Sequence, residues 1–154
     1  MKVLLLVVTM TGTSEMIAED IVEAYGAEHE FDLQLIENTE PAILSTNRNL
    51  IVISSTYGTG DVPDPGQPFF MALESSDLNL AHLNYGVIAL GDDKIYHDTF
   101  ANGGRQWDAL LRRRQANSVT EPLLLDSAGS DDISELAVDW SAACLAALKS
   151  TIAA

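Results

Sequence analysis

One cysteine, Cys144, in 154 residues excludes an intramolecular disulfide and a cysteine-rich metal site. Cations are also scarce: 8 Lys and Arg stand against 23 Asp and Glu, a formal charge of −15. Such a chain cannot neutralise a phosphate backbone, which argues against sequence-independent nucleic-acid binding. An anionic membrane surface repels it for the same reason. The opening apolar stretch, Val3 to Thr9, is too short to span a bilayer. The acid-containing segment from Thr11 onward lacks a signal-peptidase pattern. An opening strand and a cytosolic location are therefore expected. His29, His82 and His97 are scattered without metal-ligand spacing. The patterns G-x-x-x-x-G-K-[ST] and G-x-G-x-x-G are both absent, so ATP hydrolysis and Rossmann-type NAD binding lose support.

What is present suits one globular domain. Hydrophobic residues make up 47% and charged residues 20%, too apolar for a disordered tail. Val3–Val8, Leu50–Ser54 and Tyr85–Leu90 are apolar runs of the kind buried on both faces of a parallel sheet. Phe31–Ile36 alternates, as in a strand exposed on one face or at a sheet edge, and Val119–Leu125 reads as a last strand. Between them lie helical stretches at Glu15–Tyr25, Pro68–Glu74, Ala101–Gln115 and Asp131–Ile152. The last places Leu136, Trp140, Cys144 and Leu148 on one face, which makes Cys144 a core residue. Arg112, Arg113 and Arg114 close a helix, where positive charge offsets the dipole. Alternating strands and helices predict an α/β fold with right-handed crossovers. Five strands at this length fit a doubly wound, flavodoxin-like parallel sheet, order 2-1-3-4-5, with helices on both faces. Ligands of such sheets sit beyond the carboxyl ends of strands 1 and 3.

Three polar loops follow the buried strands. The first, T-M-T-G-T-S, carries hydroxyls at Thr9, Thr11, Thr13 and Ser14 around Gly12 and opens a helix. Free helix N–H groups beside hydroxyls can hold a phosphate without Lys or Arg, although Ser and Thr here also read as simple helix caps. The second, S-S-T-Y-G-T-G-D-V-P-D-P, sets the flat ring of Tyr57 before Gly58, whose peptide turns over at low cost. The third, G-D-D-K-I-Y-H-D-T-F, offers a second ring in Tyr96.

T-M-T-G-T-S-E-M, S-S-T-Y-G-T-G-D-V-P-D and L-G-D-D-K-I-Y-H-D-T-F resemble the three flavin-mononucleotide (FMN) loops of the flavodoxin family. The similarity is to its short-chain MioC-like branch, related to the FMN domains of cytochrome P450 reductase and sulfite reductase flavoproteins. The resemblance implies that Thr9, Met10, Thr11, Gly12, Thr13 and Ser14 hold the phosphate. Tyr57 and Tyr96 would flank the ring, and Gly58 would offer its carbonyl near flavin N5. Ser55, Thr56, Thr59, Gly60 and Asp61 of the second loop complete the implied set. So do Leu90, Gly91, Asp92, His97 and Phe100 of the third loop and the acid Asp126 after the last strand. Three residues separate Tyr96 from Phe100, where relatives usually have two, which leaves the inner ring to Tyr96 or to His97.

The function so implied is one-electron transfer by an FMN protein, with no catalytic residues of its own. Its partners would be a basic NAD(P)H-dependent reductase and a basic acceptor enzyme, drawn to the acidic surface. A monomer is expected. The main rival is an FMN-dependent NAD(P)H:quinone-type oxidoreductase on the same fold. An FMN-binding scaffold without a redox role is a second. A phospho-receiver is discarded, because Ser54-Ser55-Thr56 stands where its phosphorylated Asp would be.

Overall fold

The computed structural model describes residues 1–56, 61–91, 101–127 and 132–153. Strands β1 (Lys2–Val8), β2 (Glu30–Leu35), β3 (Asn49–Ser54) and β4 (Asn84–Gly91) pair in parallel, in the order β2-β1-β3-β4. Two short strands, β5 (Asn117–Ser118) and β6 (Leu123–Asp126), both pair with β4 in parallel. The expected 2-1-3-4-5 order is therefore present, with its fifth position divided.

That division corrects the single strand expected over Val119–Leu125. Pro122 has no N–H to give a ladder, and the residues before it turn to other partners. Ser118 Oγ donates to the Thr120 carbonyl at 3.0 Å, and Trp140 Nε1 donates to the Glu121 carbonyl at 3.2 Å. β2 is at the sheet edge, one of the two placements its alternation allowed, although buried Ile36 belongs to a 3-10 turn after it.

Alternate side chains of the central strands feed two cores. Leu4, Leu6, Val52, Tyr85 and Val87 pack beneath α2 (Gln67–Glu74) and α3 (Asn102–Arg113), whose Phe69, Phe70, Leu73, Trp107, Leu110 and Leu111 are buried. Val3, Leu5, Val7, Ile51, Ile53 and Ile88 pack beneath α1 (Thr13–Tyr25) and α4 (Ile133–Ala153). Each fully buried Leu, Ile or Phe contributes about 1.5–3 kcal/mol over its exposed state. Helices thus cover both faces, and the sheet's carboxyl edge is left to the loops.

Two expectations about the helices are corrected. The buried stripe of α4 is Ala137, Ser141, Cys144, Leu145 and Leu148, whereas Leu136 is 41% exposed. Steps of four advance a helix by about 400°, so a Leu136-to-Leu148 line drifts off one face. Helix α3 stops at Arg113, because Gln115 turns to φ 72°, outside the helical region. The arginines at its end have specific partners as well as a dipole. Arg112 pairs with Asp108, Arg113 with Glu74, and Arg114 donates to the Ser76 carbonyl at 2.6 Å.

Cys144 is buried, as expected, and burial pushes its thiol up to about 12. In the unfolded chain the thiol loses its proton near about 8.5. The folded state holds that proton more tightly, so this stabilisation is complete below that value and is lost as pH rises towards about 12. We expect Cys144 to resist a thiol-titrating disulfide reagent at pH 8 and to react stoichiometrically once denaturant is added. Rapid labelling of the native protein would contradict the buried position. Among the described residues, no helix is long and apolar enough to cross a membrane.

Candidate functional site

The parallel register brings the strand ends to one edge. Val8 pairs with Ser54, Ser54 with Ala89, and Gly91 with Asp126. Thr9–Ser14, Ser55–Thr56, Leu90–Gly91 and Asp126 therefore meet on one rim, as the topology predicts. Ser55 extends the ladder by one bond, donating its N–H to the Val8 carbonyl at 2.9 Å.

The first loop turns at Gly12, which has φ 94°. An L side chain costs about 1–2 kcal/mol in the left-handed region. A Cβ at this position would meet nothing among the described residues within 4 Å, so the turn opens away from them. The Gly12 N–H is held by Thr9 Oγ1 at 2.9 Å, and the Gly12 carbonyl accepts the first helical bond from Met16 N–H at 3.0 Å. Despite its hydroxyl-rich sequence, α1 has no side-chain cap. The N–H groups of Thr13, Ser14 and Glu15 precede the first intrahelical donor and point out of the helix start.

The four hydroxyls divide into two pairs with different duties. Thr11 and Thr13 lie at the opening, their Oγ1 atoms 3.5 Å apart. Thr9 and Ser14 turn inward: Thr9 fixes the turn, and fully buried Ser14 shares a 2.8 Å bond between its Oγ and that of Ser55. Ser14 thus offers the opening its backbone rather than its hydroxyl. Met10 stands on the rim, 44% exposed. Neither this loop nor residues 55–61 contain Lys or Arg. The arrangement can hold an anion through N–H groups, two hydroxyls and the positive end of a helix dipole.

Thr56 also turns inward. Its Oγ1 donates to the Leu90 carbonyl at 2.8 Å and accepts from Gly103 N–H at 3.0 Å. Ser127 closes the neighbouring strand end, donating its N–H to the Gly91 carbonyl at 2.8 Å. Asp126 is half-buried beside Gly91, and Asp61 is exposed. Tyr57, Gly58, Thr59 and Gly60, and Asp92, Tyr96, His97 and Phe100, lie outside the described residues.

Two residues of this rim escape a reading of the sequence. Ala101 holds φ 56° with no exposed surface where α3 begins. Gly103, in the first turn of α3, comes so close to the second loop that a Cβ would sit 2.4 Å from the Ser55 carbonyl oxygen. The adjacent Gly103-Gly104 pair at a helix start was the available signal, since paired glycines there mark close backbone approach.

Comparison with known proteins agrees with this architecture. The flavodoxin family model matches residues 5–140. Flavodoxin YqcA of Escherichia coli is 37% identical over 121 residues, covering 77% of this chain and 79% of that protein. Methionine synthase reductase of Mus musculus is also 37% identical, over 72% of this chain but only 16% of its own length. A C101A mutant of flavodoxin from Pseudomonas aeruginosa superposes with a TM-score of 0.85 at 32% identity, covering 97% of this chain and 99% of that one. With the sheet order, the left-handed turn at Gly12 and this match over most of its length, the chain belongs to the flavodoxin family.

Proposed function

We propose that this protein binds FMN at the carboxyl edge of its sheet and carries single electrons between a reductase and an acceptor enzyme. The observation that carries the reading is the start of α1: an uncapped helix end, preceded by a left-handed glycine that opens away from the described residues. Those residues fit a phosphate group. The N–H groups of Thr13, Ser14 and Glu15 and the hydroxyls of Thr11 and Thr13 would hold it, and no cation is needed.

Bound FMN supplies the reversible uptake and release of electrons; the protein supplies position and field. The strand ends and their inward-turned hydroxyls hold the rim in place. We assign Tyr57, with Tyr96 or His97, to the two sides of the ring, and the Gly58 carbonyl to a proton at flavin N5. Glycine lets that peptide turn at low cost. A net charge of −15 opposes further negative charge on the ring and draws basic partners, faster at low salt. An NAD(P)H-dependent reductase is our candidate donor. The single buried thiol suits a reducing compartment, and we place the exchange in the cytosol.

The test is direct. Apoprotein titrated with FMN in a calorimeter should bind one equivalent, and the complex should show flavin absorbance and stepwise reduction under anaerobic titration. NADPH oxidation should require an added reductase; turnover by the protein alone would favour the quinone-reductase reading. Tyr57→Ala should weaken FMN binding by about 1–3 kcal/mol, the scale of aromatic stacking on a flat base. Unchanged affinity would remove Tyr57 from the site.

A further inference from the structure

Thr56 has a part that differs from cofactor contact. Its side chain stands at the junction of three segments: the start of the second loop, the end of β4 before the third loop, and the first turn of α3 after it. One hydroxyl bonds across both gaps, donating to the Leu90 carbonyl and accepting from Gly103 N–H. A hydroxyl is needed for this, because the same atom must donate on one side and accept on the other. Valine has the same shape and can do neither.

The surroundings leave little slack. Gly103 is buried, and any Cβ on it would strike the Ser55 carbonyl oxygen at 2.4 Å and approach Thr56 Cα at 3.1 Å. The helix start is therefore pressed against the backbone of residues 55–56. Ala101, two residues earlier, is held at φ 56°, a conformation that alanine adopts only when its surroundings enforce it. Next to Thr56, Ser55 is tied to Ser14 of α1 at 2.8 Å. Ser14, Ser55, Thr56 and Gly103 thus form a continuous series of hydrogen-bonded neighbours running from the helix start behind the first loop to the helix start behind the third.

We propose that Thr56 is a positioning residue for the flavin: its hydroxyl fixes residue 56, from which the second loop departs, against the end of β4 and the start of α3, and so fixes the roots from which the residues assigned to the ring are presented. The proposal rests on the FMN reading above. It also explains why a threonine among the implied cofactor contacts points away from the opening.

The test compares Thr56→Val, which keeps the shape and loses both bonds, with Thr56→Ser, which keeps the hydroxyl. FMN affinity is read from quenching of flavin fluorescence, and ring environment from visible circular dichroism of the saturated complex. Apoprotein stability is read in parallel from urea unfolding. Thr56→Val should weaken FMN binding about tenfold, the scale of one to two net hydrogen bonds, and alter the visible dichroism. Thr56→Ser should stay within about twofold of the parent, as expected if the hydroxyl is what matters. Should Thr56→Val not fold, Thr56→Ala carries the same expectation without the buried methyl. An equal loss in Thr56→Ser would overturn the proposal. So would a Thr56→Val or Thr56→Ala protein that loses apoprotein stability yet binds FMN with parental affinity and dichroism, since Thr56 would then be merely structural. Failure of the parent protein to bind FMN would instead remove the FMN reading, and this proposal with it.

Discussion

Trp107→Ala is expected to lose about 3–5 kcal/mol of folding stability, the range for deleting a large aromatic from a core. Trp107 is 1% exposed and central to the core under α2 and α3. Its ring meets Phe70 edge-on at 5.0 Å and 80°, and Phe69 at 5.9 Å and 62°. These aromatics pack α2 against α3 over the sheet. Domains are stable by only about 5–15 kcal/mol, so a loss of this size removes a large share of the total. Its urea midpoint, followed by far-ultraviolet circular dichroism, measures the loss. Trp107→Phe is the informative partner. The indole N–H is buried without a hydrogen-bond partner among the described residues, and phenylalanine removes that donor while keeping most of the ring. It should therefore lose much less than alanine. A loss below about 1 kcal/mol for alanine would mean that the core closes over the gap, against the usual range for a buried aromatic.

Gly104→Ala is expected to be almost as damaging, by the opposite route. A Cβ at Gly104 would sit 2.3 Å from Ala89 Cβ and 2.7 Å from Ala89 Cα, in the middle of β4. Neither neighbour is a flexible side-chain tip, so α3 must lift from the sheet. Overpacking of this kind costs about 1–3 kcal/mol, and backbone contacts this close put the change at the upper end. The effect reaches the functional rim, because Gly103 N–H beside it bonds Thr56. FMN affinity should fall along with stability. A stable Gly104→Ala protein would show that α3 rides more loosely on β4 than the packing indicates.

Much of the fold was legible because the buried strands announce themselves. Val3–Val8 and Leu50–Ser54 are apolar at successive positions, a pattern suited to a sheet covered on both faces, and both faces are covered. The alternation around Phe31 pointed to a less covered strand, and β2 is the edge strand with no fully buried residue. Elsewhere, side-chain chemistry misled. Trp140 does pack against this core, but Leu136 draws attention as a large apolar residue and is exposed, while the stripe of α4 that faces the sheet includes buried Ser141. Geometry decides that, and hydrophobicity alone does not report the drift of a helix. The division of the last strand depended on what Ser118 and Glu121 bond ahead of Pro122, which is a tertiary matter.

The candidate site was legible as a set of residue types but not as a set of directions. Thr9, Ser14, Ser55 and Thr56 have the same hydroxyl chemistry as Thr11 and Thr13, and nothing local distinguishes them. The structure separates them by partner: the first four are bonded inward to the frame. Gly103 contributes through its lack of a side chain, and the close approach that demands glycine there exists only after β3 and α3 have docked.

The bare start of α1 has a consequence for how the protein meets small ions. With backbone donors and no fixed cation in its turn, an anion held there as we propose would be selected by shape and hydrogen bonding more than by total charge. Inorganic phosphate should therefore compete with the nucleotide's tail, and millimolar phosphate in a buffer would mask part of the true affinity. Amide exchange at Thr13, Ser14 and Glu15 would register either occupant before any more distant part of the molecule did.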